Sequence, residues 1–297
     1  MPIEDFIINV YCMVDETLSK KIVKQSLRLR GFVPKLSDSE VITMEIVGEF
    51  LGIDTDKNIW SYFCSHWKSW FPALGSRCNF ARQAANLWRL KQLMQEELAT
   101  QLGAFSETIH FVDGFPMPIC KYARSYKSKL FSTKASYGYC AAKQEKYYGF
   151  RGNMIINFSG VISSINVTSA NIDERISLLD ITDKIQGLMI GDMGYIGDEF
   201  QNELRIKANI NLQTPKRSNM QDDRDPQFIK TMKCCRRLIE TVIGQLTERF
   251  NIEKVWARDL WHLTSRVARK ILAHTTAIFI NSKIGREPLK FDGLIAC

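Results

Sequence analysis

The sequence lacks several features that would assign it to particular protein classes. No Cys-x-x-Cys pair occurs, and no group of cysteines and histidines has the spacing of a structural zinc site. No apolar run is long enough to cross a membrane. Residues 1–5 include two acids where a signal peptide would carry positive charge. We therefore expect a cytoplasmic protein that does not enter a membrane, with its eight cysteines as free thiols.

Composition and charge indicate a folded protein with an anionic partner. Hydrophobic residues make up 45% and charged residues 24% of the 297 residues, which is ordinary for a folded chain of roughly two domains. The net charge is +8, and such a basic excess suits a polyanion such as nucleic acid. Charge alone does not decide the partner, because many basic proteins bind no nucleic acid.

Residues 1–104 are predicted to form an all-helical domain that binds DNA. Ser37 and Glu40 have the spacing of a capping box, and Gly52 ends the apolar helical pattern that follows. A helix-turn-helix within residues 37–91 would present Arg77, Arg82 and Arg89 to DNA, although arginine-bearing helical hairpins are also common. The second half of the helical stretch at residues 3–30 is basic and could contact phosphate, but a solvated helix surface is the expected role of these residues, which are Lys20, Lys21, Lys24, Arg28 and Arg30.

The pattern changes from helical to strand-like at about residue 107. Short apolar runs predict five strands, which contain residues 108–112, 147–157, 161–167, 188–190 and 210–213. Two prolines, Pro116 and Pro118, predict that the chain leaves the sheet just after the first strand. Helical patterns separate the later strands, so we expect an α/β domain over residues 105–297 with a mixed five-stranded sheet.

Residues 121–146 combine cations with aromatic side chains. The cations include Lys121, Arg124 and Lys127, and four tyrosines lie among them. This combination suits a groove for nucleic acid, in which bases stack on aromatic rings and phosphates meet cations. A mobile surface loop would have a similar composition, so both interpretations stay open.

Three acidic residues occupy related positions in the predicted elements. Asp113 and Asp192 end the first and fourth strands, and Glu240 lies on a late helix. The first and fourth strands are neighbours in a mixed sheet of this order, so the two aspartates can meet, and Glu240 can reach them from its helix. Taken singly, Asp192 is more typical of a turn residue, and Glu240 is equally typical of a surface ion pair with Arg236 or Arg237.

Clustered carboxylates favour a divalent cation, because they otherwise repel one another. Mg²⁺ binds a few carboxylates and keeps water and phosphate oxygens as its other ligands, and Mn²⁺ can substitute for it. Two such ions about 4 Å apart can activate a water and stabilise the leaving 3′ oxygen of a phosphodiester. The pattern therefore predicts Asp113, Asp192 and Glu240 as metal ligands for phosphodiester chemistry.

A series of motifs covers most of the chain. They are Leu-Ser-Asp-Ser-Glu at 36–40, Glu-Ile-Val-Gly-Glu-Phe at 45–50, Val-Asp-Gly-Phe-Pro-Met-Pro-Ile-Cys at 112–120, Tyr-Gly-Phe-Arg-Gly at 148–152, Gly-Asp-Met-Gly-Tyr at 191–195 and Arg-Leu-Ile-Glu at 237–240. This series resembles RNase H-like DDE transposases of bacterial insertion sequences, and most closely the insertion-sequence 982 family. The resemblance implies an RNase H-like catalytic domain whose catalytic metal ligands are the three acids. It also implies cleavage and joining of element ends by a homodimer or higher oligomer on double-stranded DNA.

The chain departs from related transposase families around Glu240. Those families often have a tyrosine seven residues before the glutamate and a lysine seven residues after it, where this chain has Lys233 and Thr247. Arg236 is retained and is expected to contact phosphate, with a salt bridge as the alternative. The residues expected to bind DNA are Arg77, Arg82, Lys121, Arg124, Lys127, Arg151, Arg236 and Arg237.

Two other functions remain compatible with the sequence. A hydrolytic nuclease of the same fold would cut DNA without joining it, because one metal site can activate either water or a 3′-hydroxyl. A regulator derived from a transposase would bind DNA without activity, although the presence of all three acids argues against decay of the site.

Overall fold

The computed structural model describes residues 1–22, 33–141 and 143–295. Lys24, Arg28, Arg30 and Cys297, like the side chain of Lys21, lie outside the described residues. The chain packs as two units, one formed by residues 1–98 and 248–297 and the other by residues 99–247. The expected division at residue 104 remains a prediction. In the part of the chain that the structure describes, no helix is long and apolar enough to cross a membrane.

Helices precede the sheet, as the sequence predicts. They are α1 (Ile3–Thr17), which continues into a π-helical turn at Leu18–Ile22, α2 (Asp38–Phe50), α3 (Asp56–His66), α4 (Arg77–Asn86) and α5 (Trp88–Gln101). The predicted capping box is confirmed at the start of α2, where the Glu40 N–H donates to Ser37 Oγ at 3.1 Å and the Ser37 N–H donates to Glu40 Oε2 at 2.6 Å.

The second unit contains the sheet and the helices that flank it. In chain order the elements are β1 (Ile109–Lys121), β2 (Ser136–Cys140), β3 (Glu145–Asn157), β4 (Ile162–Ser169), α6 (Glu174–Leu179), β5 (Gly187–Ile190), α7 (Asp198–Ala208), β6 (Ile210–Gln213), α8 (Pro226–Cys235) and α9 (Arg237–Glu248). A buried apolar cluster includes Val112, Ile155, Leu178, Met189 and Leu204, so both β1 and β5 contribute to the core.

The sheet is mixed, as predicted, but the predicted number of strands is wrong. Across the described residues of this unit it has six strands in the order β2-β3-β1-β5-β6, with β4 also paired to β3. β1 runs parallel to β5, which confirms that the first and fourth predicted strands are neighbours. The additional strand is β2, which pairs with residues 145–149 of β3 inside the stretch interpreted as a groove or loop. Its two tyrosines, Tyr137 and Tyr139, are half exposed, so no buried apolar run marks it in the sequence.

The prediction that β1 leaves the sheet at its prolines is also wrong. Pro116 and Pro118 stay paired with Arg151 and Gly149 of β3. β5 pairs only with residues 109–111, so β1 has a partner on one side alone in its later part. Proline is tolerated on such an edge because the missing N–H need not face a second strand. Asp113 therefore lies inside β1, just past the segment that pairs with β5.

The last long helix, α10 (Leu260–Lys283), packs against α2 and α4 in the helical unit. Charged side chains are fully buried between these elements. Lys91 Nζ donates to both carboxylate oxygens of Glu45 at 2.9 Å, and Arg269 bonds to Glu49 and Asp56. Since every buried charge here has an opposite partner, the unit depends on this network remaining complete.

Candidate catalytic site

The register between β1 and β5 positions the two predicted aspartates. Phe111 of β1 pairs with Ile190 of β5, and this is the last pair between the strands. Asp113 and Asp192 each follow that pair by two residues. β1 continues to Lys121 but β5 ends at Ile190, so this register brings both carboxylates to the point where β5 ends.

A backbone amide holds each aspartate. Asp113 Oδ1 accepts a hydrogen bond from the Gly114 N–H at 2.8 Å, and Asp192 Oδ1 accepts one from the Gly194 N–H at 2.8 Å. The bond at Asp192 caps a single 3₁₀ turn at Met193–Tyr195, so the interpretation of Asp192 as a turn residue is also correct. Because a turn amide and a metal can use the same carboxylate, the two roles do not exclude each other.

The surroundings of Asp113 disfavour its charged form. Burial, together with the nearby charges of Asp192 and Glu174, raises the pKa of Asp113 to about 6, against the lowering effects of the Gly114 N–H and Arg236. A carboxyl with this pKa is ionised at neutral pH only at an energetic cost. A cation bound beside it would relieve that cost, as expected for a ligand of a divalent ion.

Arg236 links Asp113 to Glu240. Its Nη2 lies 3.6 Å from Asp113 Oδ2 and 3.8 Å from Glu240 Oε1. Arg236 forms the junction between α8 and α9, and Glu240 is exposed in the first turn of α9. The salt bridge proposed as the alternative role of Arg236 is therefore present. The structure brings the first and third predicted acids to one guanidinium rather than into direct contact.

The donor set fits a hard divalent cation, although the side chains are not turned toward a common point. Among the described residues, no three Asp, Glu, His or Cys side chains lie close enough, in their present orientations, to hold a metal ion. Carboxylate oxygens are the ligands that Mg²⁺ and Mn²⁺ prefer. Binding would require Asp113 and Glu240 to turn away from Arg236.

Two residues that the sequence analysis did not single out lie beside the aspartates. Glu174 begins α6, where Arg151 Nη1 binds its Oε1 at 2.8 Å, and its charge acts on Asp113. Tyr195 is fully buried, and its hydroxyl has no hydrogen-bond partner. Burial raises the pKa of Tyr195 well above its usual value, and the charges of Glu174, Asp113 and Asp192 add to that effect. An acid at a helix start is too common a signal to have identified Glu174 in advance.

A cleft of about 710 Å³ adjoins these residues. Its lining includes three tyrosines and two cations, together with Glu174 and Gly194; they are Tyr122, Tyr137, Tyr139, Lys146 and Arg151. Exposed tyrosines beside cations provide the stacking and phosphate contacts that nucleic acid requires. β2 and the 3₁₀ helix Tyr122–Lys127 thus contribute Tyr122, Tyr137 and Tyr139 to this cleft, and a nucleic-acid groove in residues 121–146 stays a prediction.

The residues predicted to bind DNA differ in their exposure. Arg151 and Arg236 are half-buried and paired with acids of the site. The others are exposed: Lys121, Arg124, Lys127 and Arg237 in the sheet-containing unit, and Arg77 and Arg82 on α4 of the helical unit. Exposure leaves these six able to contact a phosphate backbone, so their role stays a prediction.

Comparison with known proteins gives one match. The family model described as "Transposase DDE domain" matches residues 104–260, which is more than half of the chain. None of the curated proteins or solved structures compared with the chain matches it. Asp113, Glu174, Asp192 and Glu240 all lie inside the matched residues. The chain belongs to the family of proteins that carry a transposase DDE domain.

Proposed function

We propose that this protein is a DNA transposase that cuts and joins the ends of a bacterial insertion sequence, related to the insertion-sequence 982 family. Asp113, Asp192 and Glu240 are its proposed catalytic and metal-binding residues. The observation that supports this most is the shared register of β1 and β5, in which both aspartates follow the last strand pair by two residues. The match to the transposase DDE domain covers the same residues and supports a catalytic role for the two aspartates.

The proposed cofactor is Mg²⁺, with Mn²⁺ as a substitute, and two ions are expected. When bound, the ions supply the charge that activates a water or a 3′-hydroxyl and stabilises the leaving 3′ oxygen. Asp113 and Asp192 provide hard oxygen ligands, Asp113 from inside β1 and Asp192 from the turn after β5. Asp113 must be ionised to act as a ligand, so at a pH below its raised pKa of about 6 a cation would have to displace its proton. Arg236 neutralises the acids when no cation is bound and lies where it can also meet a phosphate.

The proposed substrate is double-stranded DNA, both as element ends and as target. Support comes from the net charge of +8 and from the cleft of tyrosines and cations beside Glu174 and Gly194. We assign phosphate contacts to Lys121, Arg124, Lys127, Arg151, Arg236 and Arg237, and DNA binding by the helical residues 1–104 to Arg77 and Arg82. An RNase H-like fold for residues 105–297, a homodimer or higher oligomer on DNA and a cytoplasmic location belong to the same proposal.

The test is cleavage and joining of labelled duplexes that carry the ends of the element encoding this chain. The wild type is compared with Asp192→Asn and with Asp180→Asn, an exposed aspartate that serves as control, in Mg²⁺ and in Mn²⁺. Metal-dependent nicking and joined products that only Asp192→Asn abolishes, with DNA binding retained, would support the proposal. Nicking without joining would indicate the nuclease, and binding without cleavage by the wild type would indicate the regulator. Cleavage by Asp192→Asn at the wild-type rate would refute the assigned site.

A further inference from the structure

We infer that Glu174 is a fourth carboxylate of the metal site and binds the cation together with Asp113 and Asp192. The inference rests on the proposed function, because it assigns a further ligand to the same site. It starts from the position of Glu174 at the beginning of α6, which brings its side chain to the turn after β5. No motif in the sequence distinguishes this residue.

Two carboxylate oxygens meet beside Gly194. The point where a Cβ atom on Gly194 would lie is 2.7 Å from Glu174 Oε2 and 2.9 Å from Asp192 Oδ1. A side chain at residue 194 would therefore displace at least one of these oxygens. Glycine at this position leaves room for both Glu174 and Asp192 beside the turn after β5. In their present orientations no three acids among the described residues form a metal-binding group, so a cation would have to draw these oxygens together.

A buried hydroxyl gives an independent indication that this volume receives a polar ligand. Tyr195 follows Asp192 by three residues and is 0% exposed, and among the described residues its hydroxyl has no hydrogen-bond partner. Buried hydroxyl groups in folded proteins almost always have a partner. A buried phenol in the turn that Asp192 caps can bond to a carboxylate turned inward or to a water carried by a cation.

Arg151 orients Glu174 toward the aspartates. Its Nη1 binds Glu174 Oε1 at 2.8 Å, while the other oxygen, Oε2, is the one beside Asp192. A simple salt bridge at a helix start is the structural alternative, and it would require only Arg151 as a partner. It would not explain why Glu174 Oε2 lies with Asp192 Oδ1 beside Gly194, whereas the exposed Glu240 reaches Asp113 through Arg236.

The experiment measures Mn²⁺ binding to the full chain without DNA, by isothermal titration and by the loss of the free Mn²⁺ resonance signal. Glu174→Gln keeps the size of the side chain and its bond to Arg151 but removes the charge. We expect it to weaken Mn²⁺ binding by about tenfold or more, the size of change that follows loss of a group supporting a metal site. The matched control is Glu203→Gln on α7, where Glu203 pairs with Lys207 at 2.6 Å, and it should bind Mn²⁺ as the wild type does.

Parallel titrations separate failure of this inference from failure of the proposed function. If Asp192→Asn weakens Mn²⁺ binding and folded Glu174→Gln does not, the inference is wrong and the aspartate site stands. If neither variant changes binding, or if the wild type binds no Mn²⁺, both are wrong. Glu174→Asp provides a second variant that keeps the charge beside Arg151 but shortens the side chain. It should also bind Mn²⁺ more weakly while its circular dichroism spectrum stays unchanged, and wild-type affinity would overturn the inference.

Discussion

Asp113→Asn should stabilise the protein at neutral pH when no metal ion is present. Asp113 is held in surroundings that raise its pKa from 3.8 to about 6, chiefly because burial removes water from the carboxylate. Asparagine keeps the shape of the side chain and an oxygen that can accept the Gly114 N–H. It carries no charge, so the variant avoids the cost of ionising a buried acid beside Asp192.

The shift sets both the size and the pH dependence of this effect. Because the pKa is higher in the folded state, the protonated carboxyl contributes stability that is complete below about pH 3.8 and is lost as the pH rises through about 6. A shift of about two units at 1.36 kcal/mol per unit gives ~3 kcal/mol. This value is an upper limit for the gain at pH 7.5, because Asp113→Asn also removes a charged partner of Arg236. The gain should fall toward zero near pH 4.

Calorimetry of wild type and Asp113→Asn in a metal chelator, at pH 7.5 and near pH 4.5, measures the effect. A gain of ~3 kcal/mol corresponds to an increase of about 6–12 °C in the melting temperature of a unit of this size. Asp180→Asn, at an exposed position, should change the melting temperature by little at either pH. Adding Mg²⁺ should stabilise the wild type more than Asp113→Asn, because only the wild type has the carboxylate ligand. Equal gains at both pH values, or a loss at pH 7.5, would refute the reasoning.

Three further predictions concern the framework around the site. Lys91→Met should lower the free energy of unfolding by about 3–5 kcal/mol in urea denaturation, because it leaves Glu45 buried without its lysine. Lys20→Met removes an exposed ion pair and should cost under about 1 kcal/mol, so an equally small loss in Lys91→Met would contradict this. Gly187→Ala should lower the free energy of unfolding by ~2 kcal/mol or more, because the backbone at Gly187 has φ +100° and the new Cβ would lie 2.4 Å from the Thr108 carbonyl oxygen. The control Gly244→Ala lies inside α9, where a Cβ would have nothing within 4 Å, and should be neutral or stabilising by up to about 1 kcal/mol. Ser37→Ala should lower the free energy of unfolding by about 1 kcal/mol, because it removes the N-cap of α2, and Ser37→Asp should retain most of that stability. An equal loss of stability in both variants would disprove the capping role.

The sequence predicted the part of the site that depends on strand order. The apolar runs that end near Asp113 and Asp192 are short and followed by glycines, a pattern that is typical of buried strands. Once the strands alternate with helices, few sheet orders remain, and the observed parallel pairing of β1 with β5 is one of them. Local rules of this kind also predicted the capping box at Ser37 and Glu40.

The sequence failed where pairing on one side of a strand decides the outcome. Pro116 and Pro118 would interrupt a strand that has partners on both sides, and nothing in the local sequence shows that β5 stops pairing at Phe111. For the same reason β2 was missed, since Tyr137 and Tyr139 are exposed and the strand exists only because the edge of β3 is available to it. Both errors concern tertiary context rather than local preference.

Glu174 was missed for a different reason, which is that its local position already accounts for it. An acid in the first turn of a helix, next to the N-cap Asp173, is favoured by the helix dipole and needs no other role. Its distance in sequence from Asp113 and Asp192 gives no hint that the three charges act on one another. Only the fold reveals that Gly194 admits Glu174 to the turn after β5, and that the buried Tyr195 hydroxyl has no partner among the described residues. An acid that only stabilises the helix dipole would need neither the glycine at residue 194 nor the unpaired hydroxyl of Tyr195. These two features are the reason to propose that Glu174 acts in the site and does more than stabilise the start of α6.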